Sequence, residues 1–362
     1  MFGSIQLGRI LGIPLRVHIT FIALVLFIVV GGYLTGGPRQ ALWSMLFIVA
    51  LFACVVLHEL AHSMVARSYG VRVESITLLP IGGIAAMQEM PRAPREEGLM
   101  AIAGPLMSLS IAGVLYGVTH LLHYAGPATY GNQPWLRMLL QANLIIAGFN
   151  LLPAFPMDGG RVLRAVLASR MDHVEATNIA SSVGQVMAVL IGLAGIFLLH
   201  VNLWLVLIAI FIFMGAGQEG RQVRAQAVLE RISAGQAMVT RFETLPRDAQ
   251  LAVALGYATR GYQHDFPVVE QDMIVGVVTQ QDLLTGLHHL GPQHTVGEVM
   301  STNVCQVPPG ANMADVYRRI AQGGCGVVLV READRIIGLV TPESFREQLL
   351  GAGGGRPPNG AG

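Results

Sequence analysis

Residues 41–66 read ALWSMLFIVALFACVVLHELAHSMVA. The run is long enough for a membrane-spanning helix, which needs about 20 apolar residues, and it carries a single formal charge, Glu59. Ionisable groups are expensive inside such a run, so a glutamate between two histidines marks a functional position. His58 and His62 stand at i and i+4, which on a helix projects both imidazoles from one face towards one metal ion. Glu59 sits beside the first imidazole. There it can hold a metal-bound water, accept its proton and pass it to a leaving amine.

The rest of the chain confirms the apolar setting. Of 362 residues, 53% are hydrophobic and 12% charged, a balance outside the range of soluble domains. Charges are sparse up to about Gly217: only Arg39 and Glu59 lie between Thr20 and Ala66, only Arg137 and Asp158 between Gly98 and Gly160, and none between Ala176 and Gln218. Six spans are expected, at 18–34, 41–66, 98–123, 136–155, 181–199 and 203–217, the last two joined tightly around His200, Val201 and Asn202. Every basic residue besides histidine is arginine. In a six-span arrangement Arg9, Arg16, Arg67, Arg72, Arg92, Arg95, Arg161, Arg164 and Arg170 fall on one side, and Arg39 and Arg137 on the other. The positive-inside rule then predicts cytoplasmic termini and a cytoplasmic C-terminal domain. No cleavable signal pattern precedes the first span. A net charge of +1 gives nucleic acid no electrostatic reason to bind.

A catalytic zinc usually takes three protein ligands and keeps one position open. The candidate for the third is Asp158, in the segment from Asn150 to Gly160, NLLPAFPMDGG. Its prolines and glycines break the helix, and broken backbone at membrane depth is tolerated where it lines a cavity. Taken alone, Asp158-Gly159-Gly160 also reads as a turn at a helix end. Cys54, Cys305 and Cys325 form neither a paired framework nor a CxxC, which predicts separate reduced or buried thiols. His18 opens the first span and reads as an interfacial side chain. His120, His123, His288 and His289 have no ligand spacing tied to an acid or cysteine.

His58-Glu59-x-x-His62 together with Asn150-x-x-Pro153 and Asp158-Gly159 resembles the site-2 proteases, intramembrane metalloproteases, over residues 1 to about 217. The resemblance implies zinc held by His58, His62 and Asp158, Glu59 as catalytic acid/base, and Asn150 as a polar active-site neighbour that orients substrate. Met157 stands where a leucine commonly precedes the aspartate, a volume-conserving change. Pro80-Ile81-Gly82-Gly83-Ile84-Ala85 resembles the glycine-pair strand or loop of that family; with Gly82 and Gly83 allowing close backbone approach, an unwound substrate peptide would pair there. An interfacial turn is the other reading of the same residues.

The remainder repeats itself. Met238 and Met300, Pro246 and Pro308, Gly276 and Gly338, and Thr279 and Thr341 are each separated by 338 − 276 = 62 residues. Each copy reads as strand, helix (Ala249–Arg260; Met313–Gln322), strand (Phe266–Val269; Val327–Val330), strand (Ile274–Thr279; Ile336–Thr341) and helix. This resembles a tandem CBS domain pair over about 235–350, with copies at about 235–296 and 297–350, after a connector at 218–234 and before a disordered Gly/Pro-rich tail at 351–362. In that family a Gly-x-x-Thr-x-x-Asp string contacts the phosphate and ribose of an adenine nucleotide (ATP, ADP or AMP). Gly276, Thr279 and Asp282 complete it in the first copy; the second keeps Gly338 and Thr341 but has Ser344 for the aspartate.

The chain thus reads as a polytopic α-helical membrane protein of about six transmembrane helices, with a C-terminal cytoplasmic α/β tandem CBS domain. The function expected is intramembrane zinc proteolysis of a single-span membrane protein in a prokaryotic plasma membrane, with adenine nucleotide as regulator and a homodimer through the CBS pair. A CBS-gated transporter is the rival reading, though it would not need the histidine pair and Asp158. A membrane metallohydrolase with a glutamate as third ligand is another.

Overall fold

The computed structural model describes residues 3–87, 91, 93–124, 134–197, 202–260, 263–271, 273–321, 325–333 and 335–345. It divides into two compact units, Met1–Arg221 and Gln222–Gly362. Segment 351–362, His200 and Val201 lie outside the described residues.

The first unit opens with a feature that hydropathy missed. Strands β1 (Ser4–Ile10) and β2 (Ile13–His18) form an antiparallel hairpin ahead of the first apolar run. Helix α1 (Ile19–Ser68) follows, capped by His18, whose Nδ1 accepts the Thr20 N–H. It leaves helical geometry at Gly36 and Gly37, immediately before Pro38. The two arms fold back on each other: the Phe21 and Phe52 rings lie 4.4 Å apart, and a Cβ on Gly32 would stand 2.7 Å from Ser44 Oγ. After α1 come β3 (Val73–Leu79) and β4 (Gly82–Met87). Strand β2 pairs in parallel with β3, giving a sheet ordered β1-β2-β3-β4. Because β2 precedes the helical hairpin and β3 follows it, both ends of α1 return to one sheet. Apolar residues of both arms, including Val25, Ile48, Phe52 and Val56, meet Val17 and Leu78 of that sheet.

Helices α2 (Pro94–Tyr124), α3 (Pro134–Asn150), α4 (Asp158–Ala168), α5 (His173–Phe197) and α6 (Leu203–Arg231) complete the unit and carry the chain out of it. Among the described residues four helices are long and apolar enough to cross a membrane: α1, α2 up to Leu122, α5 and α6. One sequence expectation changes here, and two segments gain a structure that the sequence reading had not assigned. The span expected at 136–155 is a helix that ends at Asn150, because Pro153 and Pro156 cannot continue it. Asp158 therefore belongs to a separate helix, as the first residue of α4. The connector expected from Gln218 is helical as far as Arg231, within α6.

The second unit contains α7 (Ala234–Ala237), β5 (Leu245–Pro246), α8 (Leu251–Arg260), β6 (Asp265–Glu270), β7 (Met273–Thr279), α9 (Gln280–His289), β8 (Cys305–Val307), α10 (Met313–Ala321), β9 (Val328–Glu332) and β10 (Arg335–Val340). Two three-stranded sheets, β5-β6-β7 and β8-β9-β10, repeat one register: Leu245 pairs with Val268 as Val307 pairs with Val330. The copies exchange equivalent bridges, Val277 to Ser301 and Leu339 to Val239. Gly276 and Gly338 make this approach possible, since a Cβ on either would meet the sulfur of Met300 or of Met238. Between the sheets, Val277, Val327, Leu329 and Leu339 form a shared core.

Cys305 and Cys325, expected as separate reduced thiols, are joined by a disulfide with their Cα atoms 6.0 Å apart. The parallel pairing of β8 with β9 brings the two positions together across 20 residues of chain, which spacing along the sequence could not show. Cys54 is buried and free.

Asp265, at the start of β6, is 8% exposed. Burial, with the charge of Glu343 adding to it, pushes its carboxyl up to about 6. A carboxyl raised above its unfolded value favours folding at pH below about 4 and loses that contribution as pH rises through about 6. The second unit should therefore gain on the order of 1 kcal/mol from this group between pH 7 and pH 4. Asp265→Asn should raise its unfolding temperature at pH 7.5 and flatten this pH dependence, as measured by calorimetry on the full chain.

Candidate metal centre

Three elements build the centre. His58 and His62 lie one turn apart on the second arm of α1, both buried, and Asp158 opens α4. Asp158 Oδ2 lies 3.1 Å from His62 Nε2 and 3.4 Å from His58 Nε2, and the two Nε2 atoms are 3.2 Å apart. Four-coordinate zinc with bonds of about 2.0–2.1 Å sets its ligands about 3.3 Å apart at tetrahedral angles. The three donor atoms match that spacing and could hold one metal ion.

Their orientation is fixed from α2. His62 Nδ1 lies 2.7 Å from the Met100 carbonyl oxygen. A carbonyl only accepts, so Nδ1 carries a proton and Nε2 is the nitrogen left to serve as a metal donor. That nitrogen faces a carboxylate oxygen and a second imidazole, a donor set that suits a metal cation. His58 Nδ1 shares a hydrogen bond of 2.9 Å with Ser108 Oγ, a hydroxyl that can donate or accept. Such outer partners fix ring orientation and raise ligand basicity. Between them lies Gly104: a Cβ there would stand 2.1 Å from His62 Nε2 and 2.6 Å from His58 Nε2. The absence of a side chain leaves the space that a metal needs.

Glu59 shares the arm with the histidines and meets the sheet. A Cβ on Gly83 would lie 2.6 Å from Glu59 Cγ, so the strand can run this close only with glycine at that position. Gly82 has φ +140°, in the region that favours glycine, and opens β4, the outermost strand of its sheet. The segment before α4 is equally tight. A Cβ on Gly159 would stand 2.3 Å from Leu152 O, and one on Gly160 2.6 Å from Ala154 C; the two glycines let Asp158 begin a helix directly against its own approach loop. Asn150 ends α3, its Nδ2 donating to Ile146 O at 3.0 Å.

Sequence reasoning did not find the residues that brace α4. Arg164 is buried; its Nε donates to Glu97 Oε1 of α2 at 2.7 Å and one terminal nitrogen to Glu219 Oε1 of α6 at 2.7 Å. The guanidinium also lies 5.0 Å from the centroid of the buried Phe155 ring. Arg164 entered the sequence argument only as a topology charge. For Gly104 a signal existed: Gly104-Pro105 interrupts an otherwise helical run.

Residues 46–130 and 123–193 match the model for peptidase family M50, and residues 234–289 and 296–351 each match that for the CBS domain. A zinc metalloprotease of Methanocaldococcus jannaschii is 36% identical over 338 residues, covering 93% of this chain and 94% of its own length. The chain belongs to peptidase family M50. It is a site-2-protease-type zinc metalloprotease of the membrane with a C-terminal CBS pair. Rip3 of Mycobacterium tuberculosis is 31% identical over 373 residues, covering 94% of this chain and 92% of its own length. The solved site-2 protease of M. jannaschii is 42% identical and covers 60% of this chain and 95% of that one, with a TM-score of 0.45.

In the M50 protein's second unit, a cavity of about 930 Å³ is lined by Thr240, Arg241, Asp265, Thr341 and Ser344 among others. It therefore collects the second copy's threonine. Thr279 and Asp282 instead form a capping box on α9: the Asp282 carboxylate accepts from Thr279 N at 3.0 Å and Oγ1 at 2.7 Å.

Gly104→Ala should abolish stoichiometric zinc in the purified protein while retaining helical circular dichroism, since the added methyl takes the place of the metal. Gly113→Ala, on the same helix with nothing within 4 Å of its added Cβ, should keep zinc at the wild-type level by mass spectrometry.

Proposed function

We propose that this protein hydrolyses a peptide bond in or beside the transmembrane segment of a single-span membrane protein. It does so within a prokaryotic plasma membrane, with its CBS pair in the cytoplasm. The observation that carries the reading is the triangle of His58, His62 and Asp158 donor atoms, with Glu59 between it and an edge strand. Zinc bound there supplies Lewis acidity towards a water and a carbonyl oxygen. His58, His62 and Asp158 are its ligands, held in register by Ser108, Met100 and the α4 helix.

Glu59 accepts the proton of the attacking water and delivers it to the leaving amine nitrogen. The substrate, unwound, lies along β4 as an added strand, its main chain bonded to the outer edge and passing Gly82 and Gly83. Gly83 of that strand lies against Glu59, where a Cβ would stand 3.3 Å from the carboxyl carbon. Asn150, at the end of α3, helps to orient the substrate. The sheet supports a common side for the chain's N-terminus and the segment after α1, since β2 and β3 are neighbours. The arginine asymmetry supports a cytoplasmic location for that side, and with it cleavage near the cytoplasmic face. An adenine nucleotide at the CBS pair, engaging Thr279, Asp282 or Thr341, regulates the enzyme, which works as a homodimer through that pair.

In liposomes carrying a single-span substrate, Glu59→Gln should retain wild-type zinc and lose cleavage by about 10²–10⁴-fold. Equal cleavage by the variant would remove Glu59 from this role. Isothermal titration of the full chain with ATP, ADP and AMP should show saturable binding; absence of heat at millimolar nucleotide would remove the regulatory reading.

A further inference from the structure

The 62-residue repeat assigns each position of one copy a partner in the other, and two such pairs put different chemistry at one place. Cys305 corresponds to Glu243 and Cys325 to Gln263, since Val307 and Val330 pair as Leu245 and Val268 do. In the first copy the two positions are strapped together by amide hydrogen bonds. Glu243 N donates to Gln263 Oε1 at 2.8 Å, and Gln263 Nε2 donates to Glu243 O at 2.9 Å. Both residues line the 930 Å³ cavity beside Thr341 and Ser344. The second copy makes the same strap with the Cys305–Cys325 disulfide. By the same symmetry, that strap borders the face that carries Thr279 and Asp282.

Contact supports the symmetry. Gly326, next to Cys325, lies so close to Thr279 that a Cβ on it would stand 2.9 Å from Thr279 Cγ2. Ser301, four residues before Cys305, bridges Val277, two residues before Thr279. The strap therefore holds a segment directly against the threonine of the first copy's motif. The two residues differ in exposure: Cys305 is half-buried at the edge of its copy's core, whereas Cys325 is 7% exposed and belongs to that core.

We propose that Cys305 and Cys325 form a thiol–disulfide switch that sets the opening of the Thr279/Asp282 face, while the amide strap leaves the Thr341 cavity insensitive to redox state. The reactant class is a low-molecular-weight thiol and its disulfide. Closing begins when the Cys305 thiolate attacks the small disulfide, forming a mixed disulfide and releasing one small thiol. The Cys325 thiolate then displaces the second small thiol. The two protons given up by the cysteines end on the two small thiols, so the protein pair is oxidised and the small disulfide reduced. Opening is the reverse, a small thiolate attacking the sulfur of Cys305, the less buried of the two residues, and releasing the Cys325 thiolate. In a cytoplasm that keeps thiols reduced, the open form is the resting one, and oxidation closes the segment onto Thr279. The consequence for nucleotide rests on the proposed ligand and compartment of the CBS pair; the switch itself rests on the two cysteines and Gly326.

The test uses the full chain in detergent, equilibrated across ratios of reduced to oxidised glutathione, with Cys305→Ser as the variant that cannot close and Cys325→Ala as a second. Thiol alkylation with mass spectrometry should show the pair interconverting. Hydrogen exchange of 326–330 and 279–282 should quicken at least tenfold on reduction, and both variants should exchange at the reduced rate whatever the glutathione ratio. The affinity for AMP or ATP should be at least tenfold higher for the reduced protein than for the oxidised one. A pair that stays bonded in reduced glutathione, or stays as thiols in oxidised glutathione, overturns the switch. Interconversion without any change in exchange overturns the gating of the Thr279 face. Redox-dependent exchange with no nucleotide binding in either state upholds the switch and removes nucleotide as the ligand.

Discussion

Two imidazole nitrogens and a carboxylate oxygen converge within 3.4 Å of one another among apolar helices. Without a cation between them this arrangement would be costly to bury, so the rest of the first unit is organised around keeping it. Helix α2 does most of this with three positions at successive turns: a carbonyl at Met100, an empty position at Gly104 and a hydroxyl at Ser108. The carbonyl fixes a tautomer, the empty position leaves room, and the hydroxyl orients the second ring. A single helix thus supplies the hydrogen-bond partners of both histidines on α1.

The third ligand needs a different kind of support, because it begins a helix instead of lying within one. Gly159 and Gly160 let α4 start against the loop that delivers it. Further along the same helix, Arg164 ties α4 to α2 through Glu97 and to α6 through Glu219, with its guanidinium near the Phe155 ring. A buried arginine is tolerable here because two carboxylates and an aromatic face surround it. Ligands from α1 and α4 are thereby referred to one common element, α2.

In the second unit the organising constraint is approximate two-fold symmetry between sequence copies. Small residues at the crossing, Gly276 and Gly338, allow each copy's β-strand to meet the other's methionine-bearing segment. Symmetry makes the departures informative. Ser344 for Asp282, and Cys305 with Cys325 for Glu243 with Gln263, give the two equivalent faces different polar chemistry on one backbone plan.

The sequence by itself marked His58 and His62 on α1 as candidate ligands with Asp158 as the acid to join them, and it determined the apolar character of the first unit and the register of the repeat. These are carried by local spacing: four residues for a helix turn, long uncharged runs for a span, 62 residues for a copy. Only the tertiary structure decided what meets across distance. It ended the fourth apolar segment at Asn150 and gave Asp158 its own helix; it made the N-terminal run a β-hairpin, and continued the connector as part of α6. It also set Gly104 and Gly83 against the site, paired Arg164 with Glu97, drew Thr279 and Asp282 into a helix cap and bonded Cys305 to Cys325. The physical reason is that hydropathy and period report each residue's solvent and face, whereas close approach of two backbones depends on which elements become neighbours, and a glycine's lack of a side chain has meaning only once the neighbour is known.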